Sequence, residues 1–256
     1  MDGSSLLITS LCWLTLETHV SALSPHIIGG RNAKEGEFPY QISLQRKYYF
    51  GGGSYHWCGG AVIDKTHILT AAHCTTGIPL EEFLVFPGIL NLSETNYYPN
   101  YTLSAIYRHE DYNSSDYFND IAILKLQREL VYSSDVQPIA LRSDSVRAGT
   151  YCDVTGWGLV NVTSALYPDI LQAAVVPVEP HALCAETYDI TEGMMCAGYP
   201  RGGVDACSGD SGGPLECAGL LTGVVSAGDG CALPNLPGVY TEVSVYHQWI
   251  ERKLRL

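Results

Sequence analysis

The feature that most constrains the fold of this 256-residue chain is its set of nine cysteines. Cys12 lies in an apolar N-terminal segment that we interpret as a leader, which leaves an even set of eight. In a secreted chain such a set indicates four disulfides, although sequence alone allows on the order of 100 pairings. Metal binding is the competing interpretation, and the absence of a Cys-x-x-Cys pair argues against it.

The N-terminal segment has the pattern of a signal peptide. Its apolar run, Leu6 to Leu16, is too short to span a bilayer. Val20-Ser21-Ala22 has the small residues typical of a cleavage site, although Asp2 stands where a Lys or Arg is usual. We therefore predict a signal peptide at 1–22 and a secreted, extracellular product; a membrane anchor is the less favoured alternative.

The rest of the chain has the sequence pattern of an all-β protein. Short apolar runs such as Ala61-Val62-Ile63 and Ile121 to Leu124 alternate with Gly, Pro and Asn, without the helical segments of a doubly wound sheet. One helix is predicted at 244–255, with Ser244 as its N-cap. Its apolar face would consist of Tyr246, Trp249, Ile250 and Leu254.

Charge excludes one class of partner. The formal net charge is −13 and the chain has no basic run, which argues against nucleic-acid binding. No segment after the leader is apolar enough to cross a membrane, so no membrane partner is expected once the leader is removed. No cofactor is predicted.

Three segments suggest nucleophilic catalysis. Ser211 lies in Gly209-Asp210-Ser211-Gly212-Gly213-Pro214, where glycines permit a sharp turn that exposes the hydroxyl. A serine hydroxyl needs a base, and the base in turn needs an orienting acid. His73 in Leu69-Thr70-Ala71-Ala72-His73-Cys74 and Asp120 in Phe118-Asn119-Asp120-Ile121-Ala122 are the candidates.

These segments, in the order His, Asp, Ser, resemble the trypsin/chymotrypsin family of serine proteases from Ile27 to about Trp249. The resemblance implies a protease domain at 27–256 made of two six-stranded antiparallel barrels, at about 38–140 and 146–243. The active site would lie in the cleft between them. The resemblance also implies the disulfides Cys58–Cys74, Cys152–Cys217, Cys184–Cys196 and Cys207–Cys231.

The resemblance also assigns catalytic roles. His73 would be the general base, Asp120 would orient it, and Ser211 would attack the peptide carbonyl. The backbone N–H groups of Gly209 and Ser211 would bind the oxyanion. Protein or peptide substrates are expected, protein protease inhibitors are candidate partners, and a monomer is expected.

Substrate preference is implied by four matching positions: Asp205, Ser226, Gly228 and Gly238. A carboxylate from Asp205 at the base of the specificity pocket would select Lys or Arg before the cut, and the glycines would admit a long side chain. Ala227 departs from the family, which usually has tryptophan there. Preferences further upstream therefore do not follow from the resemblance.

Activation is implied by Ile27-Ile28-Gly29-Gly30, which resembles the start of mature family members. The freed ammonium of Ile27 would pair with Asp210, and residues 23–26 would be a short activation peptide. His26 replaces the usual Arg or Lys before the cut, so we expect a different activating protease, or an aminopeptidase, rather than self-activation.

Some family members bind calcium after the histidine segment. The first ligand position here is Ile89, which offers no side-chain oxygen, so no metal is predicted even though Glu94 lies nearby. The candidate N-glycosylation sites are Asn91, Asn100, Asn113 and Asn161.

Two other interpretations fit part of the sequence. Gly209 to Gly213 also fits the elbow of α/β-hydrolases, but only His247 follows Ser211 and the βαβ pattern is missing. A catalytically silent homologue acting as a binding protein is the second, and it depends only on His26 and Ala227, because all three catalytic residue types are present.

Overall fold

The computed structural model describes residues 27–256, so the predicted signal peptide, the activation peptide and Cys12 lie outside the described residues. It confirms the all-β class: two antiparallel sheets account for most of the regular structure. The strands are β1 (Arg31–Asn32), β2 (Gln41–Lys47), β3 (Ser54–Val62), β4 (His67–Thr70), β5 (Phe83–Pro87), β6 (Leu103–Arg108), β7 (Ala122–Leu126), β8 (Ala140–Leu141), β9 (Tyr151–Gly156), β10 (Gln172–Pro177), β11 (Met194–Ala197), β12 (Pro214–Cys217), β13 (Leu220–Ala227) and β14 (Gly238–Glu242).

The first sheet has six strands in the order β5-β2-β3-β4-β7-β6. An antiparallel bridge between Val85 and Tyr101 joins β5 to the chain just before β6. This bridge closes the sheet on itself, so that apolar side chains from every strand meet inside, among them the fully buried Leu44, Ile68 and Ile123.

The second sheet follows the order β1-β10-β9-β12-β13-β14-β11, and β8 pairs in parallel with β13. A bridge between Val178 and Ala197 connects the end of β10 to β11 and closes this sheet as well. Six of its eight strands match the expected barrel. The two additional strands, β1 and β8, contain two residues each and come from outside the range 146–243.

Two α-helices and two short 3-10 helices complete the described part. Helix α1 (His181–Thr187) was not predicted. Helix α2 (Val243–Lys253) begins one residue earlier than predicted, with Glu242 at its N-cap. Ser244 is therefore not the cap, since it lies in the first turn and its Oγ donates to Oε1 of Glu242 at 2.8 Å. The 3-10 helices are Leu80–Glu82 and Leu92–Tyr97.

Four disulfides crosslink the fold. Their pairs are the four that the resemblance implies: Cys58–Cys74, Cys152–Cys217, Cys184–Cys196 and Cys207–Cys231. None of the helices within residues 27–256 is both long and apolar enough to span a membrane.

Candidate active site

Pairing between two strands brings two of the predicted catalytic residues together. Thr70 at the end of β4 lies opposite Ala122 at the start of β7. His73 follows β4 and Asp120 precedes β7, so both lie at the same end of the first barrel. Ser211 comes from the second barrel, in the loop before β12, and lines the same cavity of about 300 Å³ as His73.

Asp120 is fully buried, and its carboxylate is surrounded by donors. It accepts hydrogen bonds from the backbone N–H of His73 at 2.8 Å, from Nδ1 of His73 at 2.7 Å and from Oγ of Ser226 at 2.6 Å. Because Nδ1 donates, the neutral imidazole presents an unprotonated Nε2, which is the state that a general base requires.

The residues around Asp120 include some that the sequence patterns did not reveal. Oγ1 of Thr241 donates to the backbone carbonyl of Asp120 at 2.8 Å. Asn119, at φ 57°, accepts from Oη of Tyr246 at 3.0 Å, which ties the catalytic loop to helix α2. The hydroxyl of Ser226 contacts Asp120, a role beyond the substrate-binding one expected for this residue.

Ser211 is half-buried in the wall of the cavity. Its backbone carbonyl accepts from the N–H of Gly59 at 2.8 Å, which joins the two barrels at the site. Within residues 27–256 its hydroxyl has no hydrogen bond to His73, whose Nε2 lies 3.6 Å from Sγ of Cys74. Catalytic hydrogen bonds of this kind are often long before substrate binds.

The loop before Ser211 has the form of an anion-binding turn. Gly209 adopts φ 102°, and neither its N–H nor that of Ser211 donates to any acceptor in the described part of the chain. A side chain at Gly212 would place its Cβ 2.2 Å from Oγ1 of Thr70, so only glycine fits there. Two backbone donors therefore remain unpaired beside the candidate nucleophile.

His56 supports this turn and was not singled out by the sequence. Its Nε2 donates to the carbonyl of Gly209 at 2.8 Å, while Nδ1 lies 2.7 Å from Oγ of Ser43. Burial lowers the pKa of His56 to about 4, so the ring is neutral. The hydrogen bond from His56 therefore fixes the peptide between Gly209 and Asp210, whose N–H donates to the carbonyl of Cys207 at 2.9 Å.

Asp205 is buried and lines the cavity; its role in specificity stays a prediction. Oδ2 accepts from the N–H of Ala232 at 2.9 Å, while Oδ1 is buried without a hydrogen-bond partner among the described residues. Burial raises the pKa of Asp205 to about 6. Gly238 is needed here because a Cβ would lie 2.8 Å from Oδ1, whereas a Cβ on Gly228 would meet only the backbone oxygen of Gly230, at an ordinary contact distance of 3.6 Å.

Asp210 is fully buried behind the cavity. Its carboxylate accepts from the N–H groups of Gly158 at 2.7 Å and Cys207 at 2.9 Å, and it has no cationic partner within residues 27–256. Burial raises the pKa of Asp210 to about 7. Ile27 is also fully buried, in the apolar cluster of the second barrel.

A group of potential metal ligands consists of Cys58, His73 and Cys74, whose donor atoms lie within 4.8 Å of one another. The two cysteines form a disulfide with each other and so offer no thiolate. This group is therefore part of the catalytic region and is not a metal centre. In the loop considered for calcium, Ile89 is buried in the apolar core of the first barrel.

The four candidate glycosylation sites differ in exposure. Asn100, Asn113 and Asn161 are exposed, whereas Asn91 is half-buried and its Oδ1 accepts hydrogen bonds from the N–H and Oγ of Ser93. Glycosylation at all four stays a prediction.

Comparison with known proteins agrees with this geometry. A family model described as Trypsin matches residues 27–250. The chain is 40% identical to Trypsin II-P29 of Gallus gallus over 89% of each chain. It is 40% identical to Trypsin-1 of Astacus astacus over 88% of this chain and 98% of that protein, and 39% identical to Anionic trypsin of Bos taurus over 89% of each.

Proposed function

Because this chain belongs to the trypsin family of serine endopeptidases, we propose that it hydrolyses peptide bonds after Lys or Arg, with Ser211 as nucleophile. One observation carries the proposal. His73, which is hydrogen-bonded to the buried Asp120, lines the same cavity as Ser211, and Asp205, with one unpartnered carboxylate oxygen, lines that cavity too.

The proposed chemistry is acyl transfer in two steps. Nε2 of His73 takes the hydroxyl proton as Oγ of Ser211 attacks the scissile carbonyl, and the imidazolium then gives this proton to the leaving amine. Water hydrolyses the resulting ester by the same route in reverse order. Asp120 stabilises the imidazolium throughout, because its Oδ2 accepts the Nδ1–H at 2.7 Å. This reaction requires no metal or cofactor.

The oxyanion of each tetrahedral intermediate would be bound by the N–H groups of Gly209 and Ser211. Both donors are unpaired in the described residues, and the hydrogen bond from His56 to the carbonyl of Gly209 fixes the peptide that lies between them. Donors that are fixed in advance reorganise little during the reaction, and losing one such donor typically costs about a hundredfold or more in rate.

Preference for Lys or Arg would come from Asp205, and Ser226, Gly228 and Gly238 would line the path to it. A cationic side chain that reaches Oδ1 would supply the partner that this buried oxygen lacks. A hydrogen bond to a buried acceptor that otherwise has none stabilises the complex. This gain adds to the attraction between the two charges.

Activation would follow cleavage before Ile27, which makes the protein a zymogen. Ile27 is buried in the second barrel, and the carbonyl of Ile28 accepts from the N–H of Asp205 at 3.2 Å. We propose that the freed ammonium of Ile27 pairs with Asp210, which has no cationic partner within residues 27–256. His26 is a poor site for a Lys- or Arg-specific enzyme, and we propose that another protease or an aminopeptidase releases Ile27. We further propose that the protein is secreted, acts as a monomer and is bound by protein protease inhibitors.

The test is to prepare a form that begins at Ile27 and to assay it with a peptide library in which the residue before the cut varies. Cleavage should follow Lys and Arg, and Ser211→Ala should reduce kcat by several orders of magnitude. Equal or better turnover of Phe or Leu peptides would contradict the proposed specificity.

An organophosphate separates this proposal from a catalytically silent homologue. It should label Ser211 in the form that begins at Ile27, and Ser211→Ala should remain unlabelled. A correctly folded form with a free Ile27 that fails to react would favour the binding-protein alternative.

A further inference from the structure

The residue that precedes Asp120 is held by a buried hydroxyl from helix α2. Tyr246 lies near the start of this helix and is buried, and its Oη donates to Oδ1 of Asn119 at 3.0 Å. Burial, together with the charge of Asp120, raises the pKa of Tyr246 to about 12, so the hydroxyl stays protonated and can donate. Helix α2 therefore acts on the chain one residue away from the carboxylate that orients His73.

Asn119 has an unusual backbone conformation that its side chain stabilises. Its φ of 57° lies in the left-handed region, which Asn tolerates better than most residues but which still costs free energy. Both ends of its side-chain amide are used, because Oδ1 accepts from Tyr246 and Nδ2 donates to the carbonyl of Asp111 at 2.9 Å. Its backbone carbonyl accepts from the N–H of Ile121 at 2.8 Å. These bonds fix the turn that carries Asp120.

Close packing determines where the hydroxyl of Tyr246 lies. A Cβ on Gly193 would overlap with Oη of Tyr246, so only glycine fits beside it. The ring of His109 meets the ring of Tyr246 edge to face, with centroids 5.4 Å apart. Further along the helix, Nε1 of Trp249 donates to Oε2 of Glu110 at 2.8 Å. Helix α2 and the segment that leads to Asp120 are therefore packed together at several points.

The direction of the Asp120 carboxylate matters because its hydrogen bonds are short. Oδ2 lies 2.7 Å from Nδ1 of His73 and 2.6 Å from Oγ of Ser226, and Oδ1 accepts from the N–H of His73 at 2.8 Å. Hydrogen bonds weaken steeply as their angle departs from linearity. A small rotation of the peptide between Asn119 and Asp120 would turn the carboxylate and weaken its hold on the imidazole.

We propose that Tyr246 and Asn119 are positioning residues for Asp120, and that they hold the turn before it so that its carboxylate stays directed at Nδ1 of His73. The inference rests on the proposed function and adds to it two residues that do not line the catalytic cavity. The competing explanation is a purely structural role, in which the contact stabilises the fold and leaves His73 unaffected.

The experiment removes one hydroxyl. Tyr246→Phe keeps the ring and deletes only the donor to Asn119. The matched control is Tyr40→Phe, because Tyr40 is also buried, its Oη donates to Oε2 of Glu216 at 2.8 Å, and it does not line the catalytic cavity. Both variants are prepared in the form that begins at Ile27. Each is assayed with a short arginine amide, and its unfolding in urea is measured.

Tyr246→Phe should lower kcat about three- to tenfold, which is the size expected for one hydrogen bond, while KM changes less than twofold. Tyr40→Phe loses a hydrogen bond of the same kind, so it should also unfold at a lower urea concentration, but its kcat should stay the same. An unchanged kcat in Tyr246→Phe, or an equal loss of kcat in both variants, would assign the contact a structural role and overturn the inference.

Proton NMR separates position from stability. The Nδ1 proton of His73 lies in a short hydrogen bond to a buried carboxylate, and its downfield resonance should move or broaden in Tyr246→Phe and stay in place in Tyr40→Phe. Asn119→Gly accepts the positive φ without strain but loses both side-chain bonds, so it should shift the resonance at least as much. Adding Tyr246→Phe to Asn119→Gly should change nothing further, since the two residues act through one bond.

Two remaining outcomes are also decisive. A resonance of His73 that is unchanged in Tyr246→Phe and in Asn119→Gly would overturn the inference; if Tyr246→Phe does not fold, Asn119→Gly alone decides it. Failure of the unmodified form that begins at Ile27 to hydrolyse the arginine amide would overturn the proposed function. The resonance would then still decide whether Asp120 is positioned in this way, because it is measured without substrate.

Discussion

The predicted catalytic pair and the region behind it both contain buried carboxylates, but these carboxylates differ in the hydrogen bonds that they accept. Asp120 receives three hydrogen bonds to its side chain, two from His73 and one from Ser226. Asp210 receives two, both from backbone N–H groups. Asp205 receives one at Oδ2 and none at Oδ1.

This difference shows which buried carboxylate the domain compensates by itself and which ones still lack a cationic partner. A buried carboxylate is costly unless charge or hydrogen bonds compensate it. The fold compensates Asp120 internally, so the orientation of His73 does not depend on any ligand. Asp205 and Asp210 keep pKa values raised by burial, and each is suited to a cation that arrives later. In the proposed function these cations are the Lys or Arg of the substrate and the ammonium of Ile27.

The largest expected effect is the pH dependence that Asp210 gives to the unfolding free energy of the uncleaved chain. Burial raises its pKa to about 7 from an ordinary value of 3.8. A form that begins at Leu23 should therefore be most stable near pH 4, where Asp210 is protonated when folded. It should lose roughly 4 kcal/mol of unfolding free energy as the pH rises to 8.

The measurement is urea unfolding between pH 4 and pH 8. The form that begins at Ile27 should show a much smaller loss, because its ammonium stabilises the ionised carboxylate. Asp210→Asn should flatten the profile of the uncleaved form. Identical profiles for the cleaved and uncleaved forms would contradict the pairing of Ile27 with Asp210.

Substitution of Asp205 should have the next largest effect. At 4 Å and an effective dielectric constant near 20, the attraction for a cation is about 4 kcal/mol, part of which is offset by desolvation. We expect Asp205→Asn to reduce kcat/KM for Arg peptides at least a hundredfold relative to Leu peptides. In the original enzyme the same preference should decline as the pH falls through about 6, where Asp205 becomes protonated.

Asp144→Asn is the matched control, because this carboxylate is 76% exposed and lies away from the cavity. It should leave the preference for Arg unchanged. A preference for Arg that survives in Asp205→Asn, or that does not vary between pH 5 and pH 8, would place the recognition of the cation elsewhere.

The sequence predicted those parts of the molecule that depend on local residue types. His73, Asp120 and Ser211 lie in short segments whose composition is informative by itself, and the alternation of apolar runs indicated the sheets. The apolar face of α2 was also predictable from its periodicity, since Tyr246, Trp249 and Ile250 are buried as expected.

Features that depend on distant partners were not predictable in this way. His56 and Ser43 lie on neighbouring strands, and nothing in their local sequence indicates a bond to Gly209, which is 153 residues away from His56. The contact between Tyr246 and Asn119 spans 127 residues. Strands β1 and β8 contain two residues each and exist only because a long strand lies beside them.

The smallest predicted effect concerns Ala227, where no charge is involved. Ala227 packs against the small buried cluster that contains Cys196 and Val239, and it lines the cavity. Ala227→Trp would add an aromatic wall along the substrate residues before the cut, and one aromatic contact contributes about 0.5–1.5 kcal/mol. We therefore expect kcat/KM to rise about two- to tenfold for peptides with several residues before the cut. For substrates with a single residue before the cut, kcat/KM should change little. Val175→Trp, on the exposed face of β10, should change kcat/KM for neither kind of substrate.

If Ala227→Trp lowered kcat/KM for the longer peptides, the methyl group would be what keeps that side of the cleft open. The absence of an aromatic wall would then be part of the enzyme's selectivity, just as the unpartnered oxygen of Asp205 is.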